Sequence, residues 1–154
     1  HFEKLGHFAK KWYEKQITPK ELNSFTTTNP MVLSMIPFLF APLPIFFAVV
    51  LIGTIADAAA SSVGKYLGKI RSKKTQKTLE GYIAGVLATI GCVHLAFLIV
   101  PLPNVGIELI WAMALASAFC FLMVDIFAKR ISDNFLNSLT SGTAMVILYL
   151  LFGL

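Results

Sequence analysis

The chain has 154 residues, of which 56% are hydrophobic and 14% charged, and its mean hydropathy is +0.74. Soluble domains carry about 25% charged residues, so this composition excludes an ordinary soluble domain and predicts an integral membrane protein. Cys92 and Cys120 lie inside apolar runs, which indicates packed thiols rather than a disulfide framework or a metal site.

The first 22 residues show the pattern of an amphipathic helix that lies on a membrane surface. Phe2, Leu5, Ala9 and Trp12 recur at helical spacing among lysines. We therefore expect an interfacial segment over residues 1–30. Because the chain begins at His1 rather than Met, the alternative is the end of a helix whose upstream part has been removed. Residues 1–25 lack the apolar core of a signal peptide.

The next apolar run, residues 31–41, is brief and is interrupted by Pro37 and Pro42. An upright span takes roughly 20 helical residues, so this run predicts a kinked, tilted or re-entrant helix.

Four longer apolar runs follow, and each matches the length of a membrane span. We predict helices over about Pro44–Tyr66, 78–100, 106–128 and 133–154. Thr78 suits the N-cap of the second helix, and Asp133 with Asn134 suits the start of the fourth. The expected fold is an all-α polytopic membrane bundle, with one transmembrane domain over 31–154.

The basic residues indicate which helix ends share a membrane face. All 13 fall in three groups: five within 4–20, six within 65–77, and the pair Lys129 and Arg130. If the helices alternate in direction, the three groups emerge on one side, which the positive-inside rule makes cytoplasmic. The opposite turns, near 42–44 and 101–106, contain no basic residue.

The same layout gathers four carboxylates on the lysine-rich face: Asp57, Glu80, Asp125 and Asp133. A carboxylate inside a span costs about 2.5–3.5 kcal/mol on insertion scales and is a functional-site hypothesis by default. The alternative for Asp57 is a helix-packing role with a bonded Ser, Thr or Asn. The alternative for Asp125 is a simple pair with Lys129, one helical turn further on.

A face of small residues leads from Asp57 into the lysines, and includes Ala60, Ser61, Gly64 and Gly68. Small residues at this spacing also favour close helix packing, and the basic loop also suits a topology signal or an anionic-lipid patch. The more specific feature is the run Lys77-Thr78-x-Glu80-Gly81 at a helix start, because helix N-termini attract phosphates. Gly64 to Lys69 lacks the spacing of a P-loop.

Taken together, these residues resemble the CTP-dependent lipid-alcohol kinases, a family that includes dolichol, phytol and diacylglycerol kinases and is related to the CDP-lipid cytidylyltransferases. The resemblance rests on Asp57-x-x-Ala60-x-x-x-Gly64-x-x-x-Gly68, then Lys77-Thr78-x-Glu80-Gly81, then Asp133-Asn134. Where the family often has Glu upstream of the Asp-Asn pair, this chain has Asp125.

The resemblance implies a role for each of these positions. It makes Asp57, Lys77, Glu80 and Asp133 the catalytic set, with Asp57, Glu80, Asp125 and Asp133 as candidate ligands of Mg²⁺. It places the nucleotide against Ala60, Ser61, Gly64, Lys65, Gly68, Lys69, Lys77, Thr78, Gly81 and Asn134. The implied reaction moves the γ-phosphate of CTP to a lipid alcohol at the cytoplasmic face. Membrane lipids are the other expected partners, nucleic acid is not expected, and Gly-rich faces permit a homo-oligomer.

Two other functions remain open at the level of sequence. A cytidylyltransferase would pass the α-phosphate of CTP to a lipid phosphate, but that branch shows further Asp and Lys pairs near its end, where residues 135–154 have none. A non-enzymatic membrane scaffold would explain the spans and the basic loops. It would not need carboxylates from separate helices on the lysine side.

Overall fold

The computed structural model describes residues 28–70, 77–127 and 133–152, and these ranges are helical without a strand. The elements are α1 (Thr28–Met35) with a 3₁₀ turn (Ile36–Phe40), α2 (Leu43–Tyr66), α3 (Leu79–Ile99), α4 (Ile107–Phe127) and α5 (Asp133–Phe152). The predicted all-α class is confirmed.

Helices α2 to α5 are each long and apolar enough to cross a membrane. They contain 20 to 24 residues, and their most apolar stretches have a mean hydropathy of 1.6 to 2.1. At 1.5 Å per residue, helices of this length extend about 30 Å, the thickness of a hydrocarbon core. The protein is therefore a polytopic helical membrane bundle.

The short segment before the bundle has the predicted broken form. Helix α1 gives way to the 3₁₀ turn at Ile36, next to Pro37, and Ala41 is already extended. The apolar part, Met31–Phe40, is too short for a span. The amphipathic helix predicted over the first 22 residues, including Trp12, lies outside the described residues.

Helix α2 begins at Leu43 rather than at the predicted Pro44, with Pro42 at the N-cap position. Its middle, Ile52–Ala56, is a π-helical turn, which the hydropathy pattern did not predict. We call these five residues the π turn. The helix then resumes at Asp57 and ends at Tyr66, as expected.

The four long helices pack in chain order. Helix α2 lies against α3, α3 against α4, and α4 against α5; the first half of α2 and the π turn also contact α5, which closes the bundle. The second half of α2 packs on α3. Fully buried apolar side chains at the centre include Ile45, Val49, Ile52, Val93, Met113, Phe121 and Met145.

One end of the bundle carries the described charged residues that the sequence predicts as site candidates. It is formed by the end of α2, the start of α3, the end of α4 and the start of α5, and we call it the charged end. The connections 67–78 and 128–132 join its helices in pairs. The predicted meeting of these four helix ends therefore agrees with the fold.

Candidate functional site

Lys77 holds the centre of the charged end. Its Nζ donates to Asp125 Oδ1 at 2.7 Å and to Asp133 Oδ2 at 2.9 Å. The lysine side chain is 35% exposed and Asp133 38%, whereas Asp125 is 1% exposed. One ammonium group thus joins the α2–α3 connection to α4 and α5, and its two partners are 48 and 56 positions away in the sequence.

This arrangement fixes the protonation of the lysine. Burial disfavours the charged ammonium group, but the hydrogen bonds to Asp125 and Asp133 outweigh burial and raise the pKa of Lys77 above its ordinary value. Lys77 is therefore a cation at physiological pH, held beside carboxylates in a partly apolar setting.

Asp57 lies beside this ion-pair group and is half-buried. With the Asn134 amide nitrogen turned toward it, Nδ2 lies 3.2 and 2.8 Å from the two carboxylate oxygens of Asp57. Asp133, Lys77 and Asp125 are all within electrostatic range of Asp57. The structure thus brings together three of the four predicted carboxylates, and the hydrogen-bonded Asn expected for a packing role is present as well.

The start of α3 meets the end of α2 through close backbone contact. Thr78 caps α3 by accepting a hydrogen bond from Gly81 N–H at 3.2 Å, as predicted, and its hydroxyl donates to Gly64 O at 3.4 Å. A side chain added at Gly81 would place its Cβ 2.9 Å from Ala60 O. Glycine is therefore required at this crossing, which also supports the helix-packing interpretation of the small-residue face.

Glu80 is separate from the three aspartates. Its carboxylate accepts hydrogen bonds from the backbone N–H groups of Lys69 and Ile70, at 3.0 Å and 3.4 Å. Glu80 therefore lies at the charged end, on the predicted face, but its oxygens are directed to the chain that leaves α2 rather than to the aspartates. Its described contacts stabilise the turn after α2 and do not orient Lys77.

A cavity of about 280 Å³ opens between these elements. It is lined by Ala60, Ser61, Gly64, Lys65, Lys77, Thr78, Gly81 and Asp125. All eight lining residues are among the candidates that the sequence predicts. Typical small-molecule cavities span about 300–1,000 Å³, so this one has room for part of a nucleotide, such as its phosphates.

The remaining candidates do not line the cavity: Asp57, Gly68, Lys69, Glu80, Asp133 and Asn134. Gly68 packs against Thr78 so closely that a Cβ would overlap its side chain. Asp133 also accepts a hydrogen bond from the Asn134 backbone N–H at 3.1 Å, which caps the start of α5 as predicted.

Two residues of the site were not predicted from the sequence. Asn137 is fully buried and donates from Nδ2 to Asp125 Oδ1 at 3.3 Å, and the adjacent Ser138 is also fully buried. The signal was present in the spacing of polar residues along an apolar span, since Asn137 follows Asp133 and Asn134 by one helical turn. The prediction for that helix rested on its cap residues alone.

Among the described residues, no three His, Cys, Asp or Glu side chains come together as a metal site. The ammonium of Lys77 lies between Asp125 and Asp133, where a cation would otherwise join them. Even so, Asp125 and Asp133 share the one ammonium group that is hydrogen-bonded to them, which leaves carboxylate oxygens available to a further cation. Mg²⁺ commonly takes only one or two protein carboxylates together with phosphates.

His94, Cys92 and Cys120 lie within the spans, and the two cysteines are packed as predicted. His94 Nδ1 lies 2.9 Å from Ile90 O, and its ring contacts Trp111 with the centroids 4.3 Å apart. Cys92 is buried and Cys120 half-buried, and both are free thiols. None of these residues lies at the charged end.

Comparison with known proteins adds no assignment. No family model, curated protein or solved structure matches this chain.

Proposed function

We propose that this protein is a membrane kinase that transfers the γ-phosphate of CTP to the hydroxyl group of a lipid alcohol. The observation that carries the proposal is the cavity at the charged end, whose eight lining residues all belong to the set predicted from the sequence. CTP as the donor rests on the family resemblance alone. The acceptor class covers polyprenols such as dolichol, phytol and diacylglycerol.

The position of the cavity supports an acceptor that is anchored in the bilayer. It lies where four apolar helices end, and this is the level at which a lipid keeps its hydroxyl group. The lysine-rich end would face the cytoplasm by the positive-inside rule, and nucleotides are supplied from that side.

The charges at the cavity support phosphate binding. Lys65 and Lys77 line it, and so do Thr78 and Gly81 from the first turn of α3. Lysine ammonium groups and a helix N-terminus both stabilise phosphate oxygens. Phosphoryl transfer depends mainly on positioning the reactants and neutralising the charge that develops, so these groups are the kind the reaction needs.

Mg²⁺ fits the donor set of this site in one particular way. Asp57 and Asp133 are both partly exposed, whereas Asp125 is buried and Glu80 is directed to backbone N–H groups. Asp57 and Asp133 would therefore hold the ion beside the phosphates, where it would neutralise developing charge. In the transfer, the lipid oxygen bonds to the γ-phosphorus, the bond to the β–γ bridging oxygen breaks, and CDP leaves. Asp57 or Asp133 would accept the hydroxyl proton.

The decisive experiment uses purified protein in liposomes with Mg²⁺, mixed lipid alcohols and lipid phosphates, and CTP labelled at either the α- or the γ-phosphate. We expect γ-label in a lipid monophosphate and no α-label in lipid. Transfer of the α-label would instead identify a cytidylyltransferase. No transfer from CTP or ATP, together with no thermal shift on adding either nucleotide, would contradict the proposal and favour a scaffold.

A further inference from the structure

Three buried oxygen atoms at the inner side of the charged end have no hydrogen-bond donor among the described residues. They are Asp125 Oδ2, Asn137 Oδ1 and Ser138 Oγ. Asn137 and Ser138 are fully buried, and the side chain of Asp125 is 1% exposed. Buried polar atoms in native proteins nearly always have a partner, so these atoms indicate a bound species.

Two of these acceptor atoms, Asp125 Oδ2 and Asn137 Oδ1, belong to residues that are hydrogen-bonded to each other. Asn137 Nδ2 and Lys77 Nζ both donate to the same oxygen, Asp125 Oδ1, at 3.3 and 2.7 Å. Asp125 Oδ2 and Asn137 Oδ1 are therefore both left without a hydrogen-bond donor among the described residues. The pair presents two unpaired acceptors, and what they need is a cation or a donor.

The charge around the pair favours a cation. Lys77 is the ammonium group that is hydrogen-bonded to these carboxylates: Asp125 and Asp133 share it, and Asp57 lies within its electrostatic range. A buried carboxylate that shares its cation is only partly neutralised, and a neutral water molecule would satisfy its free oxygen without adding positive charge. Carboxylate and amide oxygens are hard ligands, which suit alkali and alkaline-earth ions.

We propose that Asp125 Oδ2 and Asn137 Oδ1 bind a monovalent cation of the sodium class, independently of any nucleotide. A divalent ion would have to lose water molecules to bind one carboxylate whose charge Lys77 already neutralises in part. The charge of the ligands therefore suits an ion with a single positive charge. Ser138 follows Asn137 along α5, and its own unpartnered hydroxyl packs on Gly53 in the π turn, a kind of irregular turn that is frequent at functional sites.

The test uses the detergent-solubilised protein with EDTA and without nucleotide. Thermal unfolding is followed in NaCl and in choline chloride at constant ionic strength. A ligand at 100 times its dissociation constant should raise the midpoint by roughly 5–10 °C in a protein of this size. We expect such a rise with Na⁺ and none with choline. Equal midpoints in the two salts, or a response to Mg²⁺ measured with MgCl₂ in place of EDTA and none to Na⁺, would overturn the proposal.

Asn137→Leu should abolish the Na⁺ response because it removes the amide oxygen at nearly constant volume. Ser117→Ala is the matched control, since Ser117 is equally buried but its hydroxyl donates to Ser141 O, at 3.4 Å. It should keep the response. A normal response in Asn137→Leu would contradict the assignment. Direct ²²Na⁺ binding to the wild-type protein, displaced by unlabelled Na⁺ and not by choline, keeps the test valid if the variant fails to fold; no binding would overturn the proposal.

Discussion

Lys77 Nζ and Asp125 Oδ1 lie 2.7 Å apart although the two residues are 48 positions apart in the sequence. The lysine precedes α3 and the aspartate lies near the end of α4, so this contact ties the start of one span to the end of the next. Because Asp125 is buried and Lys77 is only partly so, the pair is more than a surface ion pair and should contribute to stability.

Lys77→Met should destabilise the protein by leaving Asp125 and Asp133 without their shared cation. Removing one partner of a fully buried pair costs about 3–5 kcal/mol, and the exposure of Lys77 reduces this to about 1–3 kcal/mol, or roughly 2–10 °C in Tm. Lys65→Met is the matched control, because Lys65 lines the same cavity but forms no ion pair with a described residue. Equal Tm values for the two variants would contradict the structural role of Lys77.

The contribution of Lys77 should depend on pH in a defined direction. Its pKa is raised in the folded protein above about 10.4, the ordinary value for lysine. The stabilisation is therefore fully present below about pH 10 and is lost as pH rises through the raised pKa. The Tm difference between wild type and Lys77→Met should stay constant from about pH 7 to about pH 10 and shrink above that. A difference that already shrinks near neutral pH would be inconsistent with this sign.

Asp57→Asn should abolish CTP-dependent phosphoryl transfer while preserving the fold. The substituted amide still accepts a hydrogen bond from Asn134 but loses the charge that would hold Mg²⁺ or accept a proton. We expect the transfer rate to fall at least about 100-fold, as with other single electrostatic groups in active sites. Glu108→Gln, at the opposite end of the bundle, should leave the rate unchanged. Wild-type turnover in Asp57→Asn would remove this residue from the mechanism.

Glu80→Ala should loosen the turn after α2 without disturbing the aspartates. The carboxylate accepts hydrogen bonds from the N–H groups of Lys69 and Ile70, so its loss should speed hydrogen exchange at those two amides. Peptide-level exchange measured by mass spectrometry would detect the change. Unaltered exchange over residues 67–70 would show that Glu80 has a different partner in solution.

Two glycines of α3 should respond in opposite ways to alanine. Gly81→Ala would force Cβ against Ala60 O and push α2 from α3, at a cost of about 1–3 kcal/mol. Gly91 has open space around the position of its Cβ, so Gly91→Ala should gain about 0.5–1 kcal/mol from better helix propensity. Thermal unfolding of both variants would check this, and a shift of the same sign in both would argue against the close crossing of α2 and α3 at Gly81.

The helices were predictable because long apolar runs between charged turns leave few alternatives in a bilayer. The ends of α3, α4 and α5 agree with the predicted ranges to within about two residues, since Thr78, Asp133 and the Pro101–Pro103 turn signal them locally. The gathering of Asp57, Asp125 and Asp133 followed from helix direction alone. The partner of Lys77 did not, because pairing across 48 residues depends on how α4 rotates against its neighbours.

The features that were not predicted have specific physical reasons. A π turn leaves no trace in hydropathy, because its five residues are as apolar as the α-helix around them. Asn137 was not predicted because an amide in an apolar span carries no charge. Its spacing from Asp133 nevertheless placed the two residues on the same face of α5. The contacts of Glu80 were not predicted because Lys69 and Ile70 bind it through backbone N–H groups, which the identity of a side chain does not signal.

The π turn also determines how the two halves of α2 tolerate change in length. The wide turn sets how Asp57 and the residues that follow it are rotated relative to the first half of α2. That first half is apolar and packs on α5. The π turn holds one residue more than the α-helical turn it replaces, so loss of one residue there would restore a regular helix and leave Asp57 and Gly64 nearly in phase. Loss of one residue from the regular part of α2 would instead rotate one half of the helix by about 100° away from its partners, with hydropathy almost unchanged. Over evolution, α2 should therefore accept many apolar exchanges on its lipid side and should tolerate a single-residue deletion within 52–56 better than one in its regular turns.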